Sequence, residues 1–290
     1  MAGVLGTLIP SCIRMVLFTV SKIRAQKARR SDSDRVSTRV LLVDGFNLVR
    51  RIYEAHPGAE SDIEAVSVSA TRSLQRALQT HQPSHAVVVF ERHDVTWRHL
   101  LYPEYKAGRK PTPTPLLEGL PLFERQFAEL GVKNYSLENY EADDVTATLS
   151  AGIIGAGGEA IILSTDKSFL QLIGPGLRIF DHFKQVEYTG PDVVERYGVR
   201  ISQLIDFWAM TGDASNNIKG VPRVGKKTAA ELLRRYTSLE EILASDEDDK
   251  KVLLVQAESI LATRCKQLVT LKQDVELGIN LRSFRLQVPL

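Results

Sequence analysis

Short apolar, branched runs recur along the chain, and each one stops at a polar or acidic residue. Val40-Leu-Leu-Val43 is closed by Asp44-Gly45, His85-Ala-Val-Val-Val-Phe90 by Glu91, and Ala160-Ile-Ile-Leu163 by Ser-Thr-Asp166. Runs of this length and make-up are the pattern of strands buried on both faces of a parallel sheet. Between the first two, Ile63, Val66, Ala70, Leu74 and Leu78 recur at near-helical spacing, which leaves Arg72, Gln75 and Arg76 for the wet face. Strands alternating with helices predict an α/β domain over residues 39–190, with a mostly parallel sheet and helices on both faces. From about Gly190 strand-like runs cease, and Pro191 to Leu281 reads as successive short helices, so residues 191–290 are expected to form a smaller, all-helical domain. Pro111-Thr-Pro-Thr-Pro115 is a stiff segment that interrupts regular structure.

Residues 1–38 differ from the rest, being rich in Arg, Lys and Ser with no acid before Asp32. They are expected to be a basic, disordered extension appended to the fold. The apolar stretch from Val4 to Val20 is broken by Pro10 and Arg14, which argues against a membrane span. A mitochondrial-type presequence and an upstream start, with Met15 as a second initiator, are both compatible with the composition. The cytoplasm is expected for a bacterial chain, and the mitochondrion for a eukaryotic one with such a presequence.

A net charge of +2 over 290 residues is too mild to indicate nucleic acid, so any such case rests on where cations cluster. Cys12 and Cys265 stand far apart and outside any metal-ligand spacing, which excludes a disulfide framework and a zinc ribbon.

The acids are more informative. Asp44, Glu91 and Asp166 each follow the carboxyl end of a predicted strand, where open α/β sheets place ligands. Glu141-Ala-Asp143-Asp144 opens a predicted helix, with Glu141 and Asp144 on one face. Alone, these last acids are a first turn that complements the helix dipole. Beside the other three they point to a bound divalent cation, because unpaired like charges raise one another's pKa. Oxygen donors and few histidines favour Mg²⁺ or Mn²⁺. Such a centre suits phosphodiester hydrolysis.

Two basic stretches supply the counterpart. Between Arg98 and Lys110, the cations Lys106, Arg109 and Lys110 adjoin Tyr102 and Tyr105, a mix suited to a single strand, against the plainer reading of a solvated loop. From Lys219 to Arg235, a glycine-flanked hairpin enters an amphipathic helix at Lys226. There Arg223, Val224, Gly225, Lys226, Lys227 and Thr228 are expected to hold duplex phosphates without sequence preference. A nucleotide P-loop is rejected, because Lys227 displaces the required hydroxyl and a helix, not a strand, precedes the loop.

Read together, Leu-Val-Asp44-Gly, Tyr-Lys106-Ala-Gly-Arg109, Glu141-Ala-Asp143-Asp144, Ser-Thr-Asp166-Lys, Thr-Gly-Asp213 and Gly220-Val-Pro-Arg-Val-Gly225-Lys-Lys-Thr resemble the bacterial 5′–3′ exonuclease and flap endonuclease family, from about Val40 to Leu290. No polymerase domain follows, so a stand-alone member is expected. The resemblance implies a Rossmann-like (PIN/flap-nuclease-like) catalytic domain with a helical arch around residues 98–120, and a helix–hairpin–helix domain gripping the duplex. It implies a metal-dependent flap endonuclease or 5′–3′ exonuclease acting on DNA with a 5′ flap or a single-strand/duplex junction; a monomer with no membrane or protein partner is the default expectation.

By the same resemblance the metal ligands are Asp44, Glu91, Glu141 and Asp143, with Asp144 and Asp166 nearby and Asp213 remaining from a second site. Lys106 and Arg109 engage the phosphate, joined by Arg98 and Lys110 on DNA, and Asp143 and Asp144 are catalytic. A potassium ion is implied at the backbone oxygens of Met210, Thr211, Lys219, Val221 and Val224. The chain departs from fuller members at Ser168 and Asn216, where they carry aspartates, and at Glu91, which replaces an aspartate; a weak second metal is expected. The competing readings are a branched-DNA-binding protein with weak or lost catalysis and, last, an RNA-cutting relative.

Overall fold

The computed structural model describes residues 38–92 and 95–287, and from Arg39 onward they belong to one compact unit. The expected basic extension, apart from Thr38, lies outside the described residues.

The described residues form a six-stranded sheet of order β3-β2-β1-β4-β5-β6, with β1 Arg39–Asp44, β2 His85–Val89, β3 Lys133–Tyr135, β4 Glu159–Leu163, β5 Leu177–Asp181 and β6 Val186–Tyr188. All neighbours are parallel except β5 and β6. The three runs read from the sequence are the three central strands. β1 lies between β2 and β4, with Val43 paired to Val88 and to Leu163, and its core residues Val40 to Val43 are fully buried.

One face of the sheet is covered by α1 Gly45–Ala55, α2 Ile63–His81 and α5 Leu120–Glu129. Val66, Ala70, Leu74 and Leu78 of α2 are buried there with Phe123 and Phe127 of α5, the Val, Leu and Phe side chains each contributing about 1.5–3 kcal/mol of burial. The other face is covered by α6 Ala142–Gly155, through Val145, Leu149 and Ile153, and by Leu271 and Phe284 from the C-terminal stretch. Between β2 and α5 run two five-residue helices, α3 Trp97–Leu101 and α4 Thr114–Glu118, joined by turns and the extended Pro111–Pro113 segment. This is the region of the expected arch.

The helices α7 Gly190–Tyr197, α8 Leu204–Thr211, α9 Lys226–Arg235, α10 Leu239–Leu243, α11 Lys250–Ala257 and α12 Ser259–Val269 close around Phe207, Trp208, Met210, Leu232 and Leu268. Gly212 and Gly220 both have positive φ and cross at close range: a Cβ on Gly220 would meet the Met210 carbonyl oxygen at 2.6 Å. Only glycine satisfies both constraints. No helix among the described residues is long and apolar enough to cross a membrane.

Candidate active site

Asp44 is the last residue of β1 and the N-cap of α1, its Oδ1 accepting from Asn47 N at 3.1 Å. Its Oδ2 accepts from Ser164 Oγ at 2.7 Å, which ties β1 to the loop after β4. The helix must start hard against the sheet, since a Cβ on Gly45 would lie 2.6 Å from the Phe90 ring. Asp166 continues the loop, with its amide donating to Ser164 Oγ. Glu141 N-caps α6, whose first turn carries Asp143. Asp44, Glu91, Glu141, Asp143 and Asp166 thereby line one cavity of about 370 Å³ at the carboxyl ends of the central strands, where a parallel sheet leaves a crevice between diverging connections.

Negative charge is concentrated there. Burial, together with Asp166 and Glu91, pushes the pKa of Asp44 up to about 7 against the hydrogen bonds from Ser164 and Asn47. Burial and the charges of Asp166, Asp44 and Glu141 raise Asp143 well above the usual carboxylate range. Glu141 goes the other way: burial opposes its ionisation, but Lys106 and Arg98 outweigh it and lower the pKa. Lys106 Nζ stands 2.6 Å from Glu141 Oε1 and 3.7 Å from Glu91 Oε2, so an ammonium of the chain itself occupies part of the acidic crevice. Among the described residues no three acid, histidine or cysteine side chains close into a ready metal cluster. The oxygen-only donor set and the two carboxyls with raised pKa nevertheless fit a hard divalent cation, which would remove the repulsion that raises them.

Two expected ligands are placed differently. Asp144 is fully buried, and its carboxylate is taken by Arg98 Nη1 at 2.6 Å, Arg98 Nη2 and Trp97 Nε1, and by the amide of Lys272. It does not line the cavity, and its oxygens are taken up by the chain itself. Asp213 accepts from Lys167 Nζ at 2.7 Å, Ser215 Oγ and Asn216 Nδ2, and does not line the cavity. Ser168 and Asn216, the positions of the missing aspartates, act as neutral donors: Ser168 Oγ lies 2.9 Å from Asp143 Oδ2, and Asn216 Nδ2 lies 2.9 Å from Asp213 Oδ2.

The DNA-facing residues also divide. Arg98, expected on DNA, is 1% exposed; besides Asp144 it holds Glu141 at 2.9 Å, and its Nε and Nη2 donate to the carbonyls of Leu268 and Thr270. Tyr105 cannot stack on a base, being buried with its hydroxyl on Glu141 Oε2. Val224 is buried and its amide is spent on the Val221 carbonyl. Arg109 and Lys110 are exposed and line the acidic cavity, and Lys106, half-buried and at positive φ, reaches its floor. Arg223, Gly225, Lys226 and Lys227 are exposed at the start of α9, which has no side-chain cap for its first amides, and Thr228 is half-buried beside them. Arg50 and Arg51 of α1 line the same cavity, and no local pattern in the sequence singles them out. Their offset of about two turns from Asp44 was the available clue.

Residues 39–198 match the family profile described as 5′–3′ exonuclease, N-terminal resolvase-like domain, and residues 199–289 match 5′–3′ exonuclease, C-terminal SAM fold. The protein named flap endonuclease Xni of Psychromonas ingrahamii is 41% identical over 252 residues, spanning 85% of this chain and 96% of that one. Its namesake from Shewanella pealeana is 41% identical over 253 residues, 87% of this chain and 98% of the relative. Among solved structures, the T5 D15 protein co-crystallised with metal ions aligns with a TM-score of 0.70 at 22% identity, over 80% of this chain and 89% of that one, a likeness of fold. T5 5′-exonuclease with bound zinc aligns with a TM-score of 0.69 at 22% identity and the same coverage. Two family domains in series, and relatives matched over nearly their whole length, make this chain a member of the 5′–3′ exonuclease family.

Proposed function

We propose that this chain is a divalent-metal-dependent, structure-specific nuclease that hydrolyses a phosphodiester bond at 5′ flaps in DNA, with 5′–3′ exonuclease action on ends of the same kind. The observation that carries the reading is the pair of carboxyls with raised pKa, Asp44 and Asp143, in one crevice with Lys106, Arg109 and Arg50. The family and the names of the relatives support it.

Asp44, Glu91, Glu141, Asp143 and Asp166 are the residues that would hold the cation, with Mg²⁺ the reading and Mn²⁺ a substitute. When bound, such an ion supplies a Lewis acid and a water of lowered pKa for attack on phosphorus. The chain's own residues do the rest. Arg109, Lys110 and Arg50 draw the phosphate backbone into the crevice, and Lys106 can exchange its Glu141 partner for the scissile phosphate. The exposed hairpin and first turn of α9, from Arg223 to Thr228, hold duplex phosphates. A potassium ion at the carbonyls of Met210, Thr211, Lys219, Val221 and Val224 would brace that hairpin. The Gly212–Gly220 crossing, which brings the Met210 and Lys219 oxygens close to one another's glycine, suits a cation bound by backbone oxygen. The two domains meet at residues 190–191 in this reading, and the chain acts as a monomer.

The test follows cleavage of a fluorescent 5′-flap duplex in Mg²⁺, with an EDTA control and Asp143→Ala. Asp144 is avoided, because its removal strands Arg98. Cutting by the wild type that disappears in both controls supports the reading. Tight binding with no cutting in Mg²⁺ or Mn²⁺ replaces it with a branched-DNA-binding protein.

A further inference from the structure

A second cavity, of about 800 Å³, opens between α1, α2 and the turn that joins β5 to β6. Its size falls in the range of roughly 300–1,000 Å³ that encloses small ligands, and no acid lines it. Arg51, Arg76, His56 and His182 do, and Arg51 also lines the catalytic cavity, so one guanidinium joins the two. The floor is fixed: His182 is buried, with its Nε2 2.6 Å from Ser73 Oγ. Nδ1 of His56 is buried without a hydrogen-bond partner among the described residues. At the mouth, Phe183 is 38% exposed, and the Arg51 guanidinium lies 4.8 Å from its ring centroid. A cationic, acid-free hollow with an exposed ring at its edge has the parts that bind a nucleotide of a single strand, charge for the phosphate and an aromatic face for the base.

We propose that this second cavity holds a nucleotide of the single-stranded DNA tail as it leaves the catalytic crevice, with Arg76 and Arg51 on its phosphate and Phe183 against its base. Arg51, shared by the two cavities, sets the direction of the strand. The assignment rests on the flap-nuclease reading. It adds a tail-binding subsite beside the catalytic cavity, reached past Arg51, and therefore a preference for tails long enough to reach it.

The experiment measures affinity and single-turnover cleavage on three fluorescent duplexes, one nicked, one with a short 5′ tail and one with a long 5′ tail. Wild type is compared with Arg76→Glu and Phe183→Ala, neither of which lies in the catalytic cavity. Both variants are expected to bind the long-tailed duplex about tenfold more weakly, in line with the loss of one stacked base or phosphate contact. Binding of the nicked and short-tailed duplexes should stay within about twofold, and Arg76→Glu should lower the salt slope on the long tail by about one. Equal weakening on all three duplexes, as general charge or a free-nucleotide site would give, overturns the proposal, as does no weakening at all. A tail carrying 4-thiothymidine, photo-crosslinked to the wild-type protein, decides the matter if a variant fails to fold: adducts at Phe183 support the subsite, and adducts confined to residues 106–112 overturn it. A wild type that neither binds nor cuts tailed duplexes would remove the nuclease reading as well, whereas normal cutting with indifferent variants removes only this inference.

Discussion

Nζ of Lys106 lies 2.6 Å from Oε1 of Glu141, so a cation of the arch region and an acid of the crevice neutralise each other. On the flap-nuclease reading the pair competes with phosphate at Lys106 and with metal at Glu141, so that binding of either frees the group the other needs. Lys106→Met should slow single-turnover cleavage roughly 100-fold, the usual cost of deleting one donor to a developing oxyanion. It should at the same time tighten Mn²⁺ binding, because Oε1 of Glu141 is freed while Oε2 stays with Arg98 and Tyr105. Titration by calorimetry or Mn²⁺ resonance checks the second half; unchanged or weaker metal affinity would show that the pair has no such double role.

Asp143 and Asp144 are neighbours in opposite surroundings, the first among like charges in the crevice and the second clasped by Arg98. Asp144→Ala leaves Arg98 buried without its main counter-charge and should cost about 3–5 kcal/mol of stability. Asp143→Ala removes a repelled carboxylate and should leave the urea midpoint unchanged or raised while cleavage is lost. Parallel urea melts and flap assays separate the two. Comparable destabilisation in both variants would contradict the buried clasp.

The raised pKa of Asp44, about 7, gives a pH dependence of definite sign. A carboxyl whose folded pKa is raised adds stability below the unfolded value, and that contribution is lost as pH rises through about 7. Without divalent metal, the melting temperature should therefore fall as pH rises toward 8. Added Mg²⁺ should restore more of it at pH 8 than at pH 5, and cleavage should climb over the same interval. A Mg²⁺ effect equal at both pH values would exclude Asp44 as a ligand.

His81 gives the opposite limb. Burial first, then the charges of Arg178, His182 and Arg39, lower its pKa to about 4, and its ring packs edge-on to Phe180 at 4.7 Å. The folded protein resists its protonation, so the contribution is intact above about 6.5 and is lost as pH falls toward 4. His81→Phe should flatten the acid side of the stability profile; an equally steep fall in the variant would place the responsible group elsewhere.

Ser168 and Asn216 donate to Asp143 and Asp213, where carboxylates would repel them. The double variant Ser168→Asp with Asn216→Asp should bind a further equivalent of Mn²⁺ and melt lower in its absence. Mn²⁺ stoichiometry at saturation is the readout, and an unchanged value would mean that Lys167 keeps Asp213 closed to metal.

How much of this could be read from the sequence depended on the range over which each residue acts. β1, β2 and β4 were legible because a strand buried on both faces needs an unbroken apolar run. β5, Leu-Arg-Ile-Phe-Asp, alternates in burial, β3 and β6 have three residues each, and these left no comparable trace. The acids at strand ends were legible, since their placement follows from topology. The burial of Arg98 and Asp144 was not: a basic residue in a basic stretch and an acid in a first turn both look solvated until the partners 46 and 170 residues away are in place. Arg50 and Arg51 escaped for a related reason, as nothing local distinguishes a cation over a crevice from one over water.

The reach of Arg98 has a temporal consequence. Its hydrogen bond to the Leu268 carbonyl closes a contact 170 residues long, and Asp144 waits likewise for the amide of Lys272. Domains assemble from the amino end as the chain is synthesised, and contacts of long sequence separation form late. A nascent chain can build its sheet and bring its acids together well before residues 268–272 emerge, but until they do Arg98 has only Glu141 and Asp144 to hold the base of the arch. Full anchorage of the arch is thereby deferred until residues 268–272 have been made, and shorter chains are left with an acidic crevice beneath an arch held on one side only.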